Sequence, residues 1–244
     1  MKKVTKCAPQ YALTDLGMAF EHFFDNPDDF KYPKFKKKGS RRDSFRLDNW
    51  QFKVENNRIR VPHVGWVGMH EFLRFKGAKL LWATISREAD GWYVSITLEL
   101  HDLDHLSPAK NQGRIGVDLG VKNFATLSNG LVFEGPKPLK KYSEKLAKLQ
   151  RKFSRTEKNS RNRAKLRIKI ARLHKKISDI RLDAIHKLTA FLTANYSEVC
   201  IEDLSVKGMM RNHCLARAIS DMGFREFRRQ MEYKMKLRGG RLVI

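Results

Sequence analysis

The fold is decided by two short apolar runs, each with a carboxylate at or near its carboxyl end: Gly113-Arg114-Ile115-Gly116-Val117-Asp118-Leu119-Gly120 and Glu198-Val199-Cys200-Ile201-Glu202-Asp203-Leu204. Both runs predict β-strands. Ligands and metals in α/β sheets are held at the carboxyl ends of strands. We therefore expect Asp118 and Glu202 to lie over one site, on neighbouring strands of a sheet ordered 3-2-1-4-5.

Paired carboxylates of this kind predict a magnesium-dependent phosphodiester site. Mg²⁺ prefers hard oxygen ligands and keeps water and substrate phosphate as its other ligands. Each acid also has a simpler interpretation: Asp118 could accept hydrogen bonds in a turn, and Glu202 could pair with one of the many cations. Two carboxylates are also fewer than a two-metal site usually has.

The composition points to a nucleic-acid partner. Lys and Arg outnumber Asp and Glu by 50 to 26 in 244 residues, which gives a net charge of +24, and a polyanion would offset the self-repulsion. The three cysteines, Cys7, Cys200 and Cys214, form no C-x-x-C spacing, so the sequence predicts neither a disulfide framework nor a zinc site. Without a membrane-spanning run or a signal peptide, we expect a soluble, intracellular protein.

Residues 1–108 are predicted to form an N-terminal helix and a nucleic-acid-binding region that resembles a β-barrel. The helix is predicted from about residue 8 to residue 24, and strands follow over 44–100, with a hairpin turn at Asp90-Gly91. Between them, aromatic residues alternate with cations, an arrangement that can stack on bases and neutralise phosphates, although a solvated basic loop would look the same. The candidate nucleic-acid-binding residues here are Lys34, Lys36, Lys37, Lys38, Arg41 and Arg42.

Residues 109–244 are predicted to form the second domain. Its strands at 114–119, 124–127, 131–133 and 199–204 are interrupted by a long helical hairpin over 137–195. Asn129-Gly130 predicts a tight turn between two of these strands. A helical stretch is predicted over 216–236, and its Asp221 is expected to cap or pair locally. From Lys137 to Arg181 there are 18 Lys or Arg and 3 Asp or Glu. One face of the second helix carries further candidate phosphate-binding residues: Lys165, Lys169, Arg172 and Lys176. A solvated charged face is the alternative, but such a face normally mixes signs.

Several motifs resemble the TnpB (OrfB) family, the transposon-encoded "probable transposases" that are RNA-guided DNA nucleases of the RuvC type. The resemblance covers nearly the whole chain and is carried by segments 116–127, 201–209, 215–224 and 227–234, with 32–36 and 60–67 upstream. It implies an incomplete RNase H-like (RuvC) domain, so that the expected fold class is α/β plus β. It also implies that Asp118 and Glu202 are catalytic acids that bind Mg²⁺ or Mn²⁺, and that the partners are guide RNA and DNA. The location that the resemblance implies is the prokaryotic cytoplasm, in association with the nucleoid.

The family pattern also includes a four-cysteine zinc motif and a third catalytic acid, both of which would follow Ile244. We therefore expect a fragment that cleaves little or no DNA by itself, while the intact protein is a magnesium-dependent endodeoxyribonuclease acting in transposition. The alternative is a catalytically inactive, truncated nucleic-acid-binding protein. A weaker alternative is a resolvase or ribonuclease of the same fold that acts without a guide.

Overall fold

A computed structural model describes residues 5–35, 43–73, 75, 77–100, 108–212 and 214–244. The chain forms two compact units, residues 1–101 and 102–244. The expected boundary between residues 108 and 109 stays a prediction, because residues 101–107 lie outside the described residues. None of the helices in the described ranges has the length and apolar character needed to cross a bilayer.

The described residues of the first unit form one helix and two small antiparallel sheets. Its elements are α1 (Cys7–Asp25), β1 (Ser44–Asp48), β2 (Lys53–Glu55), β3 (Arg58–Val61), β4 (Gly65–Gly68), β5 (Lys79–Arg87) and β6 (Trp92–Glu99). One sheet has the order β1-β5-β6 and the other β2-β3-β4. Both contribute to one core, formed by Leu47, Phe52, Ile59, Val61 and Ala83. The predicted barrel is not confirmed, because these strands form two separate sheets around that core.

Helix α1 is tied to the first sheet through Asp48, at the end of β1. The Cys7 thiol donates to Asp48 Oδ2 over 3.0 Å, and the Tyr11 hydroxyl donates to Asp48 Oδ1. These hydrogen bonds hold the pKa of Asp48 below its usual value, and burial raises the pKa of Cys7. Cys7 is therefore a structural thiol that fixes the start of the helix.

The second unit is built on a mixed five-stranded sheet. Its elements are β7 (Asn111–Leu119), β8 (Ala125–Leu127), β9 (Val132–Phe133), α2 (Pro138–Arg155), α3 (Arg161–Asn195), β10 (Tyr196–Ile201), α4 (Val206–Met209), α5 (Ala216–Met222), α6 (Phe224–Leu237) and β11 (Arg241–Val243). The sheet order is β11-β10-β7-β8-β9. When these five strands are numbered 1 to 5 in chain order, starting at β7, and read from β9 to β11, the order is 3-2-1-4-5. The predicted sheet order is therefore confirmed. β10 lies parallel to both β7 and β11, whereas β7, β8 and β9 pair antiparallel.

One face of this sheet carries the core of the unit. Alternate residues of the two central strands, among them Ile115, Val117 and Val199, are buried against α3 and α6. β10 ends at Ile201, three residues earlier than predicted, because the chain turns when the Leu204 N–H donates to the Glu202 carbonyl. Glu202 therefore follows the strand instead of lying inside it.

The predicted single helix over 216–236 is broken into α5 and α6 at Gly223. This glycine has φ +75°, a conformation that strains other residues, and a Cβ atom there would lie 3.0 Å from side-chain atoms of Arg181 and Ile185 on α3. Both constraints favour glycine at the break. The break changes the direction of the chain, so that α6 can pack on the sheet.

The helices α2 and α3 form an antiparallel hairpin with a narrow apolar seam of Leu146, Leu173 and Ile177. At its tip, Arg163 of α3 donates to the carbonyls of Phe153 and Thr156 at the end of α2, over 2.7 and 2.8 Å. These two bonds satisfy carbonyls that a helix C-terminus otherwise leaves to solvent. They join the two helices at their distal ends.

The base of the hairpin is held by Asp221, which is 3% exposed. Among the described residues, it is the only charged residue whose side chain is buried. Its two carboxylate oxygens accept the backbone N–H groups of Leu139 and Lys140, each over 3.1 Å, in the first turn of α2. Arg181 of α3 completes the site with a 3.2 Å contact to Asp221 Oδ1. A single carboxylate on α5 thus caps α2 and pairs with α3.

A second polar network joins α3 and α6. Thr189 and Gln230, both fully buried, share a 2.9 Å hydrogen bond, and Gln230 donates to Glu226 over 3.0 Å. Arg229 forms two hydrogen bonds with the Glu226 carboxylate, of 2.7 and 2.8 Å. The hydrogen bonds from Arg229 lower the pKa of Glu226 from 4.5 to about 2, against the opposing effect of burial.

We expect Asp221→Ala to destabilise the second unit by about 3 kcal/mol, because it removes a helix cap and leaves Arg181 without its partner. The matched control is Asp183→Ala on α3, which removes an exposed i,i+4 pair with Lys187 and should cost less than about 0.5 kcal/mol. Urea unfolding followed by helical circular dichroism measures both. All four tryptophans, Trp50, Trp66, Trp82 and Trp92, lie in the first unit, so their fluorescence is an internal reference. If the two variants lost the same free energy of unfolding, Asp221 would not be the anchor of the helical hairpin.

We also expect the stability of the protein to depend on Glu226 in acid. Since the folded-state pKa is depressed, the stabilisation is complete above pH 4.5 and is lost as the pH falls towards about 2. Glu226→Gln should cost about 2 kcal/mol near neutral pH after allowance for solvent screening, and the difference from the parent should shrink over that acid range. Urea titrations at several pH values test this. Glu232→Gln, on the same helix, should show a small difference that does not follow this pattern.

Candidate functional site

Asp118 and Glu202 occupy matching positions on the two central strands. Residues 116 and 117 of β7 pair with residues 200 and 201 of β10 in parallel register. Asp118 and Glu202 each follow the last of these pairs by one residue. Because adjacent strands lie about 4.8 Å apart, the two backbones are within reach of a shared ion. The structure therefore brings together the two acids that the sequence singled out.

Both carboxylates lie on the sheet face opposite the buried core. Val117 and Ile201, the residues before them, are buried, while Asp118 and Glu202 are exposed. In the part of the chain that the structure describes, neither carboxylate takes part in an ion pair. Neither of the simpler interpretations is therefore observed there: Asp118 accepts no turn hydrogen bond, and Glu202 has no cation partner within the same ranges.

The acid next to Glu202 has a different environment. Asp203 accepts a 2.6 Å hydrogen bond from Arg228 of α6, and the same guanidinium donates to Glu232 over 3.2 Å. These hydrogen bonds, that to Asp203 first, raise the pKa of Arg228. Asp203 therefore connects the segment after β10 to α6, and its charge is already neutralised.

A cleft of about 310 Å³ opens beside Glu202, at the carboxyl edge of the sheet. The wall of the cleft is apolar and the rim is polar. The wall is formed by Leu119, Ile201, Leu204, Val206 and Phe224, and the rim by Glu202, Arg225 and Arg228. Asp118 is next to Leu119 and is not itself in the lining. Among the described residues, no group of three or more His, Cys, Asp or Glu side chains is arranged to hold a metal ion. A metal bound between Asp118 and Glu202 would have two protein carboxylates and would take its other ligands from water or phosphate.

The predicted basic stripe lies on one exposed face of α3. Lys165, Lys169, Arg172 and Lys176 are all exposed, and they recur at helical spacing beside the buried positions Leu166, Leu173 and Ile177. The Lys176 ammonium lies 5.3 Å from the centre of the Tyr142 ring of α2. The stripe is thus a continuous cationic surface on a rigid two-helix support.

Only part of the other predicted basic segment can be placed. Lys34 is exposed and lies between Tyr32 and Phe35, whose side chains are 62% and 92% exposed, as a stacking surface requires. The other five candidates, Lys36, Lys37, Lys38, Arg41 and Arg42, lie outside the described residues.

Sequence reasoning missed two features near this site. It expected Asp221 to cap or pair locally, whereas its partners are on two distant helices. It also did not single out Arg225 and Arg228, which reach the cleft because Gly223 redirects α6. The only signal of these features in the sequence was Gly223, which is followed by a cationic helix and comes shortly after Glu202.

The sheet and its paired acids define a mixed α/β domain with a candidate metal-dependent nuclease site. A family model described as "Probable transposase" (OrfB) matches residues 95–213. The chain is 36% identical to the Escherichia coli K12 protein "Putative RNA-guided DNA endonuclease InsQ", over 96% of this chain and 61% of that protein. It is 35% identical to a "Putative RNA-guided DNA endonuclease" of Streptomyces pristinaespiralis, over 100% of this chain and 60% of that protein.

The chain belongs to the OrfB (TnpB) family of transposon-encoded proteins. It spans about 60% of the length of these two curated relatives. A solved structure, "Cryo-EM structure of the Cas12f1-sgRNA-target DNA complex", matches with a TM-score of 0.43 and 15% identity, over 68% of this chain and 35% of that chain. That similarity is too low to carry an argument.

Proposed function

We propose that this chain carries the catalytic core of a transposon-associated, RNA-guided DNA endonuclease, in which Asp118 and Glu202 bind Mg²⁺ or Mn²⁺ on a RuvC-type domain. The observation that supports this most strongly is the parallel pairing of β7 with β10, which brings the two acids to the same edge and face of the sheet. The relatives named as RNA-guided DNA endonucleases supply the substrate class.

The donor set fits a magnesium ion. Both side chains offer hard oxygen atoms, both are exposed, and neither is neutralised by a cation in the described ranges. When bound, the metal would supply an activated water and neutralise charge on the phosphodiester. Asp118 and Glu202 would fix its position, while the apolar residues of the cleft would limit the approach of bulk water.

The basic surfaces are proposed to hold the guide RNA and the DNA. The stripe on α3 and Lys34 present exposed cations, and the stretch from Lys137 to Arg181 has 18 Lys or Arg against 3 Asp or Glu, which suits backbone binding independent of sequence. Base pairing between the guide and the target would then supply sequence choice. The site of action is proposed to be the chromosomal DNA in the bacterial cytoplasm.

A second candidate function is nucleic-acid binding without cleavage. It is supported by the separation of the two surfaces: the stripe lies on the helical hairpin, and the acids lie at the carboxyl ends of two inner strands. Nucleic-acid binding by the stripe would therefore not require the carboxylates. The two candidates make different predictions for variants of the acids.

We expect Mg²⁺ or Mn²⁺ to raise the melting temperature of the parent chain by about 3 °C at an ion concentration about tenfold above its dissociation constant. Asp118→Asn and Glu202→Gln should each remove most of that shift, whereas Glu144→Gln, an exposed acid on α2, should retain it. Differential scanning calorimetry with and without metal measures the shift. The protein expressed from its complete reading frame should then show metal-dependent DNA cleavage that Asp118→Ala abolishes. A metal shift unaffected by either substitution would refute the assigned ligands.

We expect nucleic-acid binding to depend on the stripe and not on the acids. Replacing Lys165, Lys169, Arg172 and Lys176 by Ala should lower the slope of log K against log salt by about 3, because about four phosphate contacts are lost. Asp118→Asn should leave the slope unchanged. Fluorescence anisotropy with labelled RNA and DNA over a salt series measures both. RNA of defined length that copurifies with the chain would favour a guided nuclease over an unguided one, and an unaltered slope in the fourfold variant would contradict the stripe.

A further inference from the structure

The cleft beside Glu202 has a cationic rim that the two acids alone do not explain. Arg225 and Arg228 lie at the start of α6 and line the same cleft as Glu202. Guanidinium groups bind phosphate oxygens with two parallel hydrogen bonds. A carboxylate that holds a metal and a guanidinium that holds an anion are complementary parts of a site for a phosphodiester strand.

The two arginines differ in how far their charge is already neutralised. Arg228 is engaged by Asp203 and Glu232, over 2.6 and 3.2 Å. Arg225 is exposed and, among the described residues, has no carboxylate partner. Arg228 therefore contributes order to the segment after β10, whereas Arg225 retains its full capacity for an external anion.

The rest of the cleft suits one nucleotide unit. Leu204, Val206 and Leu119 give the same cleft an apolar surface, and its volume of about 310 Å³ lies at the lower end of the range for small-ligand sites. An apolar surface can cover a sugar or a base edge while the rim holds the phosphate. A purely metal-binding pocket would not require it.

We propose that Arg225 binds a backbone phosphate of the strand on which Asp118 and Glu202 act, beside the reacting phosphate. The inference rests on the proposed function, since it takes the two acids as the reacting centre. Arg228 is a positioning residue: its pair with Asp203 fixes the segment that carries Glu202 against α6. The ligand chemistry is a phosphodiester strand with its sugars, and not free phosphate.

The test is the salt dependence of binding to a short oligodeoxythymidylate of about eight nucleotides, labelled with a fluorophore. Arg225→Ala should raise the dissociation constant about tenfold at low salt and reduce the slope by about 0.7, the value for one lost contact on a single strand. Arg225→Lys should recover most of the slope. The matched control is Lys236→Ala, which removes one exposed cation from the same face of α6, about 16 Å along the helix.

The same series is repeated in the fourfold stripe variant, which lowers competing binding on the hairpin. An unchanged slope in Arg225→Ala, or an equal decrease in Lys236→Ala, would overturn the Arg225 contact while leaving the metal and cleavage tests untouched. We expect metal binding to be lost only in the Asp118 and Glu202 variants, and to be retained in Arg225→Ala, whose oligonucleotide binding is weaker. Competition by inorganic phosphate as strong as by the oligonucleotide would show an anion site without the strand specificity proposed. A parent chain that binds no oligonucleotide would overturn the inference together with the strand-binding part of the proposed function.

Discussion

The parallel pairing of β7 with β10 is the constraint on which the second unit depends. Parallel neighbours cannot be joined by a tight turn, so the chain has to cross over before it returns. Here the crossover contains β8, β9 and the α2–α3 hairpin. The register is supported at its start by a 2.9 Å ion pair between Arg114 and Glu198, which face each other across the two strands. The same register sets the relative positions of Asp118 and Glu202.

A crossover of that length needs its own anchors. The hairpin has only a narrow apolar seam, which alone would leave its angle to the sheet poorly fixed. Asp221 provides the anchor, because it satisfies two backbone donors of α2 and the guanidinium of α3 at one point. A buried carboxylate with three partners specifies one arrangement, since any displacement of the hairpin would leave its charge unpaired. The rigid base allows the cationic face of α3 to serve as a fixed surface.

The sequence predicted the strands, the sheet order and the pairing of the two acids, because these follow from alternation, turn residues and apolar runs. It predicted the turns at Asp90-Gly91 and Asn129-Gly130 for the same local reason, and the second has the expected positive φ at Gly130. It could not predict the separation of the first unit into two sheets, or the capping of α2 by Asp221. These depend on contacts between residues far apart in sequence, and no periodicity encodes them. The roles of Asp118, Glu202 and the basic residues stay predictions.

Neither Asp118 nor Glu202 has a cation partner among the described residues, although the net charge of the chain is +24, and the neighbouring ion pairs help to explain this. Two arginines of this domain are engaged by other carboxylates: Arg114 by Glu198, and Arg228 by Asp203 and Glu232. Each of these acids holds a guanidinium in a hydrogen-bonded ion pair. Arg225, which lines the cleft with Glu202, has no carboxylate partner among the described residues. Because a hydrogen-bonded ion pair restricts both side chains, the neighbouring acids preserve the negative potential at the edge of the sheet. An isolated acid pair among mobile cations would be neutralised by them, and a divalent metal would have to compete for it. By engaging Arg114 and Arg228, the neighbouring acids reduce the number of guanidinium groups that would compete with a divalent ion for Asp118 and Glu202.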